Sequence, residues 1–289
     1  MLKALIKTMR LRQWTKNGFI FFGLIFDKQL FLLEPFLRTL AGFFLFCLIS
    51  SAVYLFNDIA DFEADRNHPE KKFRPIASGA LPVNVATMTA LLLTVIAIPL
   101  GYLLSPIFAL ILTLYLLINL LYSRWLKHVA ILDVLIISSG FVLRVAAGVA
   151  LITVERFSPW LYMLTILFSL YIGFGKRRAE MSLLAHGASA HRRVFEGYTI
   201  PLLDQYITIV SGMTIVAYSL YTFSAPNLPD NHTMMLTIPF VVYGIFRYLQ
   251  LIQTGHAAGA PDEVALKDRP LQATVLLWGL AVIAVFYLS

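Results

Sequence analysis

The densest run of chemistry-bearing residues is Asn57-Asp58-Ile59-Ala60-Asp61-Phe62-Glu63-Ala64-Asp65, directly behind an apolar stretch. On a continuing helix, Asp58, Asp61 and Asp65 stand at i, i+3 and i+7 and project to one face. Three carboxylates so crowded repel one another unless a cation joins them. An oxygen-only ligand set, without His or Cys, favours magnesium, which bridges protein carboxylates and substrate phosphates. The bland alternative is a solvated acidic helix end. It is disfavoured because acids at a helix C-terminus oppose the macrodipole. Asp58, Asp61 and Asp65 are therefore the expected catalytic carboxylates.

A basic run follows from Arg66 to Gly79. Arg74 precedes Pro75, which pushes it toward an extended conformation suited to a side chain reaching over a pocket. A guanidinium there can clamp phosphate through two parallel hydrogen bonds. Arg66 and Arg74 are read as phosphate ligands, whereas Lys71 and Lys72 could equally meet lipid headgroups.

The elements that must position these residues are membrane helices. The chain has 289 residues, of which 59% are hydrophobic and 13% charged, with a mean hydropathy of +0.77. A soluble domain of this length would expose far more charge. A bilayer core about 30 Å thick needs roughly 20 apolar residues per helix. Such runs lie near 17–33, 39–56, 82–104, 106–121, 131–152, 159–175, 203–223, 234–250 and 270–288, with a tight turn at Ser105-Pro106. The expectation is one all-α integral membrane domain over 1–289, with about nine transmembrane helices around a central cavity open to the cytoplasm. Residues 1–16 would form an interfacial segment, and 57–80, 122–130, 176–200 and 252–269 cytoplasmic loops. The N-terminus lacks the small-residue pattern of a cleavable signal. Cys47, the single cysteine, lies in an apolar run and reads as a small buried hydrophobe.

Charge gives the orientation. Counted with the flanking helix ends (1–18, 57–80, 122–130, 175–200 and 247–270), the loops on the N-terminal side hold 19 of the 23 Lys and Arg. Cytoplasmic loops carry the basic excess, so the N-terminus is placed inside a cell membrane. The other side keeps Lys28, Arg38 and Arg156, and Arg144 falls within a span. The net charge of +7 thus belongs to a membrane face and does not indicate nucleic acid. Acids mixed with these bases suggest a metal-bound, phosphorylated ligand, since a lipid anchor needs only bases.

Asn57-Asp58-x-x-Asp61-x-x-x-Asp65 resembles the first aspartate-rich motif of the UbiA superfamily of intramembrane prenyltransferases. Further segments resemble its decaprenyl-phosphate phosphoribosyltransferase branch, which attaches phosphoribose to a polyprenyl phosphate. They are Arg12-Gln13-Trp14-x-Lys16-Asn17, His68-Pro69-x-Lys71-x-Phe73-Arg74-Pro75-Ile76-Ala77-x-Gly79, Leu126-Lys127-His128, Leu143-Arg144-x-x-Ala147-Gly148, Gly175-Lys176-Arg177 with Ala179-Glu180, and Glu263-x-Ala265-Leu266-x-Asp268-Arg269. The resemblance implies a 5-phosphoribosyl diphosphate donor and a long polyprenyl phosphate acceptor, the product feeding a pentose into cell-surface glycans. By position, Asn57, Asp58, Asp61 and Asp65 would hold Mg2+ on the departing diphosphate.

The remaining segments fit beside that. Lys16 and Asn17 could hold the lipid phosphate or the donor, or anchor the interface with Trp14. Tyr122, Arg124, Lys127 and His128 form a basic turn where other branches carry a second aspartate motif. This chain offers only Asp133 there, and His128 is read as a phosphate donor before a metal ligand. Arg144 stands roughly 20 Å along the fifth span. It either lines the bottom of a polar pocket or pairs with an acid such as Asp133. Gly140 and Gly148 would permit close helix packing. Lys176, Arg177 and Glu180 would bind substrate, although cations also suit a helix C-terminus. Lys72, Lys267, Asp268 and Arg269 complete the expected binding set, with Asp262 and Glu263 nearby. Arg192 and Arg193 read as membrane-surface charges.

Three classes compete. A phosphoribosyltransferase accounts for all these segments. A prenyltransferase acting on an aromatic acceptor predicts the missing second aspartate motif. A transporter would carry internal repeats around a midplane site, whereas these charges gather at one face. The expected partners are the two substrates and the bilayer, and a homo-oligomer is left open.

Overall fold

The computed structural model describes residues 1–154, 159–185, 193–225, 228–254 and 267–288, and all of its regular structure is helical. The α-helices are α1 (Leu2–Met9), α2 (Phe21–Phe26), α3 (Leu33–Ala60), α4 (Phe62–Arg66), α5 (Val83–Leu104), α6 (Pro106–Arg124), α7 (Leu132–Val149), α8 (Pro159–Ala185), α9 (Ile200–Ser224), α10 (Ile238–Gln253) and α11 (Arg269–Leu288). Short 3-10 helices punctuate them, and an unusually long one runs over Leu11–Ile20. The chain forms two compact units. One comprises Met1–Ile25, Gln29–Lys127 and Leu143–Val154; the other comprises Phe26–Lys28, His128–Val142 and Glu155–Ser289.

In the first unit, α3 packs closely on α5. The buried positions of α5 are Ala86, Ala90, Ala97 and Gly101, all on one face. Small residues let helix backbones approach where lipid offers no hydrophobic drive for association. The other faces of α5 expose Met88, Leu91, Leu92, Val95 and Leu103, as suits a lipid-facing surface. At the next corner Ser105 is extended, accepts from the Phe108 N–H and places Pro106 at the first helical position. Arg38 closes two chain ends at once, donating to the carbonyls of Leu104 at 2.7 Å and Leu151 at 3.1 Å. Leu104 ends α5 and Leu151 lies just past α7, where the helix ladder no longer supplies donors.

The second unit centres on α8 and α9. The Tyr171 hydroxyl donates to the Ile245 carbonyl at 2.6 Å, and Ser138 on α7 shares a hydrogen bond with Ser169 on α8. Thr199 caps α9 through the Leu202 N–H, and Asp268 caps α11 through the Leu271 N–H at 2.9 Å. Arg178 pairs with Asp204 at 2.6 Å, tying α8 to α9.

Among the described residues, seven helical segments are long and apolar enough to cross a membrane. The protein is a multi-pass membrane protein. Two of the nine expected spans differ. The span expected over 159–175 is the front of α8, whose apolar run is diluted by tyrosines and hydroxyls, and it is not among the seven. The span expected over 17–33 is a correction. It is the end of the long 3-10 helix, then α2, then a turn with Lys28 in the left-handed region, and α3 begins already at Leu33. The cause is tertiary. A Cβ on Gly148 of α7 would stand 1.8 Å from the Ile20 carbonyl oxygen, so α7 presses on the backbone of this segment.

Candidate functional site

The helix through the aspartate motif almost continues. α3 ends at Ala60, Asp61 leaves helical geometry, and α4 restarts at Phe62. The Asp61 N–H still bonds the Asn57 carbonyl at 3.0 Å, and the Asp65 N–H the Asp61 carbonyl at 2.8 Å. The three carboxylates nevertheless part company. Asp58 and Asp65 are buried and converge on one atom, Arg74 Nη1, at 3.2 and 2.7 Å. Asp58 also accepts from Arg10 at 2.7 Å, and Lys71 stands 4.0 Å from Asp65. Asp61 turns instead to Lys127 at 2.6 Å. The repulsion expected of three crowded acids is thus answered by side-chain cations.

Among the described residues, no three His, Cys, Asp or Glu side chains converge as a ready metal cage. Two observations still fit a divalent cation here. Two buried carboxylates already share a single positive atom, and Asn57 Oδ1 is buried without a hydrogen-bond partner. A buried, unsatisfied acceptor is costly unless something occupies it. With only oxygen donors, the set suits a hard ion.

Deeper in the same unit, Asn17 is fully buried. Its amide reaches Cys47 Sγ at 3.1 Å and Ser50 Oγ at 3.2 Å, and its carbonyl accepts from Arg144 Nε at 2.8 Å. Arg144 also donates to the Tyr115 hydroxyl at 2.9 Å and lies over the Phe46 and Tyr115 rings. Within the first unit Arg144 thus serves Asn17 and Tyr115. Arg144 and Gly148, one turn apart on α7, together hold Asn17 and Ile20.

Asp133 takes other partners within the second unit. It is fully buried, pairs with Arg177 Nε at 2.5 Å and accepts from the Tyr198 hydroxyl at 2.7 Å. Arg177 reaches on to Glu180 at 2.6 Å. Tyr198 also accepts from the N–H of Ile131, a β-branched residue held at φ 70°. Burial first, and then the bond to Asp133, push the Tyr198 phenol above the usual tyrosine range. Sequence reasoning did not single out Tyr198, because nothing near it in the chain marks its partner 65 residues away.

The other expected residues are placed as follows. Arg66 is exposed and stacks on Phe62, and Lys72 is exposed beside Phe73. Lys16, Tyr122 and Lys176 are half-buried, and His128, Lys267 and Arg269 are exposed. Asp268 does double duty, capping α11 and pairing with Arg247 at 2.8 Å. That guanidinium holds its carboxyl below the usual carboxylate range. Arg156, Arg192, Asp262, Glu263, Ala265 and Leu266 lie outside the described residues. Arg10 was not among the expected site residues, although its place just ahead of Arg12-Gln13-Trp14 was the available signal.

Comparison with known proteins places this geometry. The profile of the UbiA prenyltransferase family matches residues 18–263. The chain is 35% identical to the decaprenyl-phosphate phosphoribosyltransferase of Mycolicibacterium smegmatis, across 100% of this chain and 94% of that one. It is 34% identical to the protein of the same name from Mycobacterium tuberculosis, across 95% and 91%. A solved UbiA homologue from Archaeoglobus fulgidus, bound to DMAPP and Mg2+, superposes with a TM-score of 0.72 at 14% identity, covering 99% of this chain and 100% of that one. At that identity the shared property is the fold.

Proposed function

The chain belongs to the UbiA prenyltransferase family, and we propose that it transfers 5-phosphoribose from 5-phosphoribosyl diphosphate to a polyprenyl phosphate. An acceptor phosphate oxygen bonds to the anomeric carbon as the bond from that carbon to the diphosphate breaks. The observation that carries this reading is the near-full-length identity to two decaprenyl-phosphate phosphoribosyltransferases. The site chemistry supports it, since acids and guanidiniums interleave where a metal-bound diphosphate would need both.

In this reading Asn57, Asp58, Asp61 and Asp65 hold Mg2+. Bound there, the ion would neutralise charge on the departing diphosphate. The chain's own part is placement. Arg74 is freed from Asp58 and Asp65 to clamp phosphate, and Lys127 is freed from Asp61 to do the same. Arg66, Lys72, Tyr122, His128, Lys176, Lys267 and Arg269 supply further donors around the two phosphorylated substrates. Asn17 with Arg144, and the buried Arg177 with the half-buried Glu180, act by fixing the helices that carry the others. No covalent intermediate is needed, because the acceptor phosphate is itself a nucleophile at neutral pH. The basic excess on the N-terminal side supports a site at the cytoplasmic face of a cell membrane.

Purified protein given Mg2+, polyprenyl phosphate and 5-phosphoribosyl diphosphate labelled in the ribose should yield a labelled lipid. Turnover of a prenyl diphosphate with an aromatic acceptor, and no labelled lipid, would replace this reading with the prenyltransferase one.

A further inference from the structure

Arg10 occupies an unusual position. It ends α1 in the left-handed conformation, φ 52° and ψ 53°, where helices usually place glycine or asparagine. A long side chain there needs a reason beyond the turn. Its guanidinium donates to Asp58 Oδ1 at 2.7 Å and lies 4.8 Å from the centre of the Tyr54 ring. Its backbone is fixed on both sides. The Ser51 hydroxyl donates to the Met9 carbonyl at 3.2 Å, and the Trp14 indole donates to the same Ser51 at 3.0 Å. Ala4, Leu5 and Met9 pack against the cluster around Ala52 and Leu55. The stem is anchored, and the guanidinium is the part left to move.

The exposures set the order of access. The Asp58 side chain is 4% exposed, while Arg10 above it is 34% exposed and Arg74 30%. A cation that takes Asp58 Oδ1 has to displace these guanidiniums, both of which hold that oxygen. The charges match. The two negative charges of Asp58 and Asp65, now met by Arg10 and Arg74, equal the charge of a divalent ion that takes their place at the carboxylates. The freed guanidiniums then lie beside the ion's other ligands.

We propose that Arg10 is the resident counter-ion of Asp58, exchanged for the metal on loading and then taking an oxygen of the metal-bound diphosphate. This rests on the site assignment proposed above for Asp58. It gives Arg10 opposite effects on two binding steps. Before diphosphate arrives Arg10 competes with the metal, and afterwards it holds the metal's ligand.

The test is calorimetric titration of the full-length protein in nanodiscs, with Mg2+ alone and then with inorganic diphosphate at saturating Mg2+. Arg10→Gln is expected to bind Mg2+ alone several-fold more tightly than wild type. It should bind diphosphate about tenfold more weakly, the worth of one charge-assisted hydrogen bond. A residue that only shapes the site would weaken both steps, and a bystander would change neither; either result overturns the proposal. Asp58→Asn separates the two layers. If it binds Mg2+ as wild type does, the metal assignment itself fails. If it loses Mg2+ while Arg10→Gln behaves as wild type, only the role of Arg10 fails. Should Arg10→Gln fold poorly, Arg10→Lys retains the competing charge but loses the planar fork. It should bind Mg2+ as wild type does and diphosphate less tightly, and unchanged diphosphate binding in that variant would overturn the proposal.

Discussion

Gly148 of α7 abuts the Ile20 backbone so closely that a Cβ would stand 1.8 Å from the Ile20 carbonyl oxygen and 2.7 Å from its carbonyl carbon. The obstructing atoms are main chain, so no rotamer change relieves the clash. Gly148→Ala should cost at least about 1–3 kcal/mol, the usual range for overpacking a tight interface. Thermal unfolding in detergent would register it. An unchanged midpoint would mean that the 3-10 helix can shift away freely.

Asp58→Asn and Asp61→Asn should each insert normally and lose turnover by about a hundredfold or more, as removal of a charge-stabilising group does. Membrane yield and the labelled-lipid assay together check this. Full activity in either variant would defeat the metal assignment.

The Asp133–Arg177–Tyr198 network predicts a graded series. Asp133→Asn leaves the buried Arg177 guanidinium with Glu180 as its charged partner and should cost about 3 kcal/mol, the low end for breaking a buried ion pair. Tyr198→Phe removes two hydrogen bonds, one to Asp133 and one from the Ile131 N–H, and should cost about 1–2 kcal/mol. Equal losses in the two unfolding midpoints would contradict the partnership described here.

Acid should release the clamp between Arg247 and Asp268. The Asp268 pKa is lowered first by the Arg247 hydrogen bond. The charged carboxylate is thus favoured in the folded protein. Its contribution is present above the ordinary carboxylate pKa and fades as pH falls through the lowered one. Asn also caps helices well, so Asp268→Asn isolates the charge. The gap between the wild-type and Asp268→Asn melting temperatures should hold down to about pH 5 and close as pH falls below the ordinary carboxylate value of about 4. A gap that stays constant would assign the effect to the cap.

Much of the architecture is legible in local sequence, because membrane helices announce themselves by run length and the corner at Ser105-Pro106 by its cap and proline. The aspartate motif is equally legible as a near-continuous helix with acids on neighbouring turns. What local sequence does not carry is partner choice. Asp61 turning to Lys127, 66 residues on, separates it from Asp58 and Asp65. Arg177 could stabilise its own helix end, yet it reaches a carboxylate 44 residues back. Residues 17–20 are 3-10 where the α-helix of 21–26 could have begun earlier; Arg144 and Gly148 hold Asn17 and Ile20 from outside, and no local pattern encodes that. Asp268 before Pro270 was a readable helix start, since a capping side chain and an early proline stand together.

The guanidinium of Arg38, spent on two main-chain oxygens, bears on how basic residues report topology. Insertion statistics weigh every Lys and Arg alike, yet a cation bound by its own fold contributes little to anchoring either leaflet. Arg144, sunk among aromatic rings, belongs to the same class, whereas Lys28 is exposed. With Arg38 and Arg144 discounted as internal fastenings, the sidedness of the chain is sharper than a plain count of its basic residues suggests.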